Sequence, residues 1–120
     1  MYYNPNPRKR SVGDCAVRAV AKALGVSWKK AYTLLAEEAY AVCDMPSSDA
    51  VWGSILRNRG FAKRMVYDDF YTARDFCIDN PHGTYVLAFG GHVVTVVDGF
   101  IFDSWNSSNE IVQYYWEMEQ

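Results

Sequence analysis

The chain has 120 residues, 50% hydrophobic and 22% charged, with a formal charge of −2. That size suits one domain, which can hide roughly two-thirds of the surface its unfolded chain exposes and so needs no metal or disulfide staple. The near balance of 12 Lys and Arg against 14 Asp and Glu excludes a global basic field for nucleic acid.

Residues 1–12 read as an extended N-terminal arm, with Pro5, Pro7 and the exposed-looking run Arg8, Lys9, Arg10. No apolar stretch reaches the about 18 residues of a membrane span, and the start lacks a signal-type apolar segment, so a cytoplasmic protein is expected. Residues 14–24 place Val17, Val20, Ala21 and Leu24 at helical spacing, with Asp14 at the cap and Gly25 past the end. Ser27 caps a second helix with Tyr32, Leu35, Ala36 and Ala39 on one face. A third covers 48–59, uses Val51, Trp52, Ile55 and Leu56, and stops at Gly60.

After Gly60 the pattern changes. Residues 61–67 suit a strand, 72–78 a short helix, and Asn80-Pro81-His82-Gly83 a turn. Strands follow at 84–89, 92–97 and 100–103, the last two joined by Asp98-Gly99, the strongest short hairpin signal. A final strand is expected at 111–116, whose Tyr114, Tyr115 and Trp116 read as core more than interface. The fold class is therefore α+β, with N-terminal helices packed on a C-terminal antiparallel sheet.

Three widely spaced cysteines, Cys15, Cys43 and Cys77, form no CxxC pair and leave at least one thiol free. Cys15 opens the first helix, where unsatisfied N–H groups and the helix dipole favour a thiolate, and its own amide can face an oxyanion. The neighbouring Asp14 opposes this unless it faces away as the cap. Cys43 and Cys77 lack a basic neighbour and read as packing residues, and His82 as surface decoration in its turn.

His92 follows Gly90-Gly91 at the start of a strand. With Asp98-Gly99 as a two-residue loop, Val97 pairs with Phe100, Val94 falls opposite Asp103 and His92 opposite Trp105. His92, Val94, Asp103 and Trp105 then share a face, with Asp103 diagonal to His92 and Trp105 covering both. A carboxylate so placed orients an imidazole and stabilises its protonated form, as nucleophilic catalysis requires. Two separated histidines make no metal site, and no cofactor is expected.

Gly13-Asp14-Cys15-Ala16-Val17, then His92-Val93-Val94-Thr95-Val96-Val97, then Asp103-Ser104-Trp105, resemble in order and type the papain-like cysteine peptidases, above all the small papain-fold proteins of bacterial and phage genomes. The resemblance covers about a fifth of the chain. It implies a papain-like fold and a thiol hydrolase acting on a peptide or protein, with Cys15 as nucleophile, His92 as base, Asp103 orienting it and Trp105 shielding the pair. The family commonly sets a Gln ahead of the nucleophile to complete the oxyanion hole. Here that stretch is Lys9, Arg10 and Ser11, so Lys9, Arg10 or Asn6 is the candidate donor.

The same triad would serve a deamidase or acyltransferase, since only the acyl acceptor differs. The rival is a catalytically idle interaction module, favoured by the 16% aromatic content and the missing Gln. Nucleic-acid binding is not expected: Arg8, Lys9, Arg10, Arg57, Arg59, Lys63 and Arg64 form two groups without interleaved aromatics.

Overall fold

Capping residues fix the helix ends in a computed structural model that describes residues 1–118. Helix α1 spans Cys15–Leu24 and ends at Gly25, whose left-handed backbone (φ 67°) lets the Val26 N–H reach the Ala21 carbonyl at 3.0 Å. Ser27 Oγ accepts the Lys30 N–H at 3.1 Å to start α2, Trp28–Val42. Helix α3 spans Asp49–Asn58, one residue inside the expected range at each end, and buries Val51, Trp52, Ile55 and Leu56 as their spacing requires.

The α2 face differs from expectation. Ala31, Leu35 and Ala39 are buried, while Tyr32 is 49% exposed and stacks on Trp28 with ring centroids 5.3 Å apart. Both 31 and 32 are apolar, and tertiary packing chooses the small residue where α2 lies close against α1.

Strand β1 is Phe61–Met65, helix α4 Ala73–Asp79, β2 Thr84–Ala88, β3 Val93–Val97, β4 Phe100–Phe102 and β5 Tyr114–Met118. The five strands form one antiparallel sheet in the order β1-β5-β2-β3-β4. Strand β5 begins later than expected because its pairing with β2 starts at Ala88↔Tyr114, leaving Ile111 only an isolated bridge to Thr72. Asp98 and Gly99 both have positive φ (50° and 81°), as a type I′ turn requires, and the ladder runs Val97↔Phe100, Val96↔Ile101, Thr95↔Phe102. This is the register that the two-residue loop predicts.

Helices α1, α2 and α3 cover one sheet face through Val20, Leu35, Trp52 and Leu56, against Phe61, Val86, Val93 and Trp116. Helix α4 covers the other through Ala73 and Phe76, against Leu87, Val94, Val96 and Val112. The result is three layers, with α4 as an outer layer that the alternation of apolar residues alone does not reveal. Trp116 is buried and Tyr114 and Tyr115 partly so, which makes the aromatic tail core. Thr95, fully buried on β3, donates from Oγ1 to the Ala19 carbonyl of α1 at 2.7 Å and ties the sheet to the central helix. No helix among the described residues is long and apolar enough to cross a membrane.

The arm is ordered at its start. Tyr2 bridges Asp103 in parallel, and the Tyr3 N–H donates to the Asp103 carbonyl at 2.8 Å, so residues 1–3 line the free edge beyond β4. Arg8, Lys9 and Arg10 are exposed. Cys43 corrects the packing assignment: it is exposed, in a left-handed conformation (φ 59°) at the end of α2. Cys77 is partly buried and packs under the sheet, as expected.

Candidate active site

Cys15 is the first residue of α1. Asp14 occupies the N-cap position, yet its side chain does not cap the helix. Oδ2 accepts the Trp28 indole N–H at 2.8 Å, and Oδ1 lies 3.0 Å from Arg18 Nε. The expected conflict between Asp14 and a thiolate is removed differently from the cap anticipated: the carboxylate is engaged by Arg18 and Trp28. The first-turn amides of α1 are left without a side-chain acceptor beside the sulfur. Burial pushes the Cys15 thiol up, but the His92 hydrogen bond, the Val93 N–H and the charges of His92 and Arg18 together bring it below the ordinary cysteine value.

His92 immediately precedes β3. Gly91 takes φ 77° in the preceding bend, and the Phe89 N–H donates to the His92 carbonyl at 2.8 Å, which turns the chain sharply enough to bring the ring over α1. The imidazole is held between two aromatic rings, with Phe89 at 5.9 Å and Trp105 at 4.2 Å between centroids. Nε2 lies 2.8 Å from Asp103 Oδ2, which leaves Nδ1 for the Cys15 sulfur. Burial lowers the imidazole pKa, but hydrogen bonds and charges from Asp103 and Cys15 outweigh it and raise the pKa to about 9.

Asp103 is 2% exposed and lies one residue beyond the β4 ladder. Its Oδ1 accepts from Arg18 Nη1 at 3.0 Å and from the Ser104 N–H at 2.7 Å. Burial would raise this carboxyl, but the His92 hydrogen bond and charge and the Ser104 N–H hold it below the usual range. The common face expected for His92, Val94, Asp103 and Trp105 does not extend into the ladder. Val94 enters the α4 core, while Asp103 takes a partner from α1. Strict alternation ends with the ladder, and the His92–Asp103 contact forms just past it.

Arg18 is the participant that sequence reasoning passed over. It is 6% exposed, one turn along α1 from Asp14, and joins Asp14 to Asp103. Its signal was present: a cation four residues after an acid, in the otherwise apolar first half of α1. A buried guanidinium needs carboxylate partners, and here it has two.

A cavity of ≈ 280 Å³ opens on the sulfur, lined by Cys15, Ala16, Asp49, Trp52, Phe89 and His92 among others. A larger one of ≈ 430 Å³ touches Asp103 and Trp105 but includes neither Cys15 nor His92, so it is not where the thiol meets a ligand. The three proposed oxyanion donors lie outside the Cys15 cavity. Lys9 Nζ donates to the Asn4 carbonyl at 3.2 Å, and buried Asn6 accepts the Arg8 N–H through Oδ1 at 2.9 Å. Arg10 lines a separate cavity with Asp14, Arg18 and Trp105. The physical reason is the tight turn after Asn6, closed by the Lys9 N–H on the Asn6 carbonyl at 2.9 Å, which folds the arm upon itself.

Trp105 is 54% exposed and stacks flat on His92 (21° between planes), covering the ring from solvent. His82 is exposed in its turn, and burial raises the Cys77 thiol. Among the described residues no group of three His, Cys, Asp or Glu side chains converges as metal ligands. No protein-family model, curated protein or solved structure matches the chain.

Proposed function

We propose that the protein is a cysteine peptidase or related amidohydrolase of papain-like type, acting on a peptide or protein substrate. The supporting observation is that Cys15 and His92 line one cavity, with the Asp103 carboxylate 2.8 Å from the imidazole. Helices first and an antiparallel sheet second, with the thiol opening α1, agree with a reduced papain-like arrangement.

In this reading the Cys15 thiolate attacks the scissile carbonyl carbon. The C–S bond forms and the carbonyl π pair moves to oxygen, facing the uncapped Cys15 N–H at the start of α1. The tetrahedral adduct collapses, the C–N bond breaks, and the His92 imidazolium gives its Nδ1 proton to the leaving amine. Neutral His92 then takes a proton from water as the water oxygen attacks the thioester. Collapse releases the acid, the Cys15 thiolate and a reprotonated His92. Asp103 holds the ring in orientation throughout, and a primary amine in place of water would make the same site an acyltransferase.

The second reading, an idle papain-fold interaction module, is favoured by one observation: Lys9, Arg10 and Asn6 do not line the cavity, so none of the three expected side-chain donors faces the oxyanion. Mass spectrometry of a mixed peptide library incubated with wild type and with Cys15→Ala separates the two. Peptidase action predicts new termini with wild type alone. No new termini with wild type, while the variant keeps its partners, supports the module.

A further inference from the structure

The cavity at Cys15 carries one formal charge besides the thiol and imidazole, that of Asp49 at the first position of α3. Its Oδ1 accepts the Trp52 indole N–H at 3.1 Å and its Oδ2 the Tyr114 hydroxyl at 3.0 Å. Burial and that hydrogen bond keep the Tyr114 phenol protonated. Both donors are neutral, and no described cation forms an ion pair with this carboxylate. They fix its orientation without forming an ion pair; Asp49 is exposed, and Lys63 Nζ lies 4.2 Å from the centroid of the Tyr114 ring.

A favourable helix dipole explains an acid in this first turn. It does not account for two aromatic donors from different elements converging on the carboxylate. Trp52 and Tyr114 stack at 6.3 Å with planes 9° apart, forming a rigid support. The remaining walls are mostly small or aromatic: Ala16, Ser47, Ala88 and Gly91 beside Phe89 and Trp52, with Val93. Such a cavity suits a side chain with an aliphatic stem and a cationic head, the methylenes lying on the rings and the charge meeting Asp49.

We propose that Asp49 is the specificity residue of this cavity and selects a substrate with a lysine or arginine at one of the three positions before the scissile bond. The inference rests on the peptidase reading and deepens it. An acidic side chain at the same subsite meets an unpaired carboxylate and is rejected.

The test uses tripeptidyl acyloxymethyl ketones carrying lysine, norleucine or glutamate in turn at each of the three positions before the warhead. Labelling of Cys15 is followed by intact mass and peptide mapping, with iodoacetamide on wild type as a specificity-free reference. At one position lysine should label about two- to fivefold faster than norleucine, and glutamate slowest, the size expected of an exposed ion pair. The lysine preference should shrink at high salt and vanish in Asp49→Asn. The lysine-to-norleucine ratio in wild type needs no variant, so misfolding of Asp49→Asn cannot hide the answer. Equal labelling by lysine and norleucine at all three positions, or a preference retained in Asp49→Asn, overturns the inference while leaving the peptidase reading intact. Cys15 no more reactive towards iodoacetamide than Cys43 and Cys77 overturns both.

Discussion

Arg18 donates through Nη1 to Asp103 Oδ1 at 3.0 Å, so the carboxylate that holds His92 is itself held by a buried cation from the helix that carries Cys15. The two halves of the site, one on α1 and one on the β3-β4 hairpin, are thereby joined behind the imidazole. Arg18→Met leaves Asp14 and Asp103 buried without their cation and is expected to destabilise the protein by about 3 kcal/mol or more, measured by urea unfolding. Arg18→Lys keeps the charge without the two-sided reach and should fall between. As a positioning residue, Arg18 should also affect the His92 titration, read from its imidazole proton resonances. A Met variant with unchanged stability and an unchanged titration would remove Arg18 from the network.

Asp103→Asn removes the charge that most directly supports the imidazolium. The His92 pKa, about 9 in the intact site, should fall towards the ordinary value of about 6.5. Turnover of any cleaved peptide should drop about 10²-fold or more. An unshifted His92 titration would mean that the 2.8 Å contact does not govern its protonation.

The pH dependence of stability has a defined sign. His92 has a raised folded-state pKa, so its contribution is complete below about 6.5 and is lost as the pH rises through about 9. Cys15 has the opposite sense: its pKa is lowered, and its contribution is lost as the pH falls through the folded value. The two partly offset each other between those values. In Cys15→Ala the Asp103 partner still raises His92, so unfolding free energy should decline from pH 6 to pH 9, and adding His92→Gln should flatten that decline.

Thr95 and Ala19 hold β3 to α1 three residues from His92 and four from Cys15. Thr95→Val keeps the shape and loses the donor, so stability should fall by about 1 kcal/mol. Loosening this tie should also reduce the reactivity advantage of Cys15. A variant as stable and as reactive as wild type would show that the tie is redundant with the surrounding apolar packing.

The parts legible in the sequence were those set by local backbone chemistry. Gly25 and Ser27 mark helix ends, and Asp98-Gly99 fixes the hairpin register that brings Asp103 near His92. What escaped depends on distant partners. Asp14 looked like a side-chain cap because nothing local shows Trp28 and Arg18 competing for it. Ala31 rather than Tyr32 faces the core because α1 lies close there. The pairing of Tyr2 and Tyr3 with Asp103 crosses a hundred residues, and no periodicity encodes it. Lys9, Arg10 and Asn6 were candidate donors by proximity in sequence, and a local turn of the arm takes them out of the Cys15 cavity.

The most direct test of the central claim is the rate of alkylation of each cysteine by iodoacetamide at pH 6, resolved by peptide mapping. Ordinary thiols are almost wholly protonated there, and the lowered pKa of Cys15 gives it a larger thiolate fraction than an ordinary thiol. Cys43 is a stringent control because it is more exposed than Cys15. The predicted result is Cys15 reacting at least about tenfold faster than Cys43 and Cys77, an advantage abolished in His92→Ala. Equal rates at all three thiols, or a fast Cys15 that survives loss of His92, would contradict a Cys15–His92 catalytic pair.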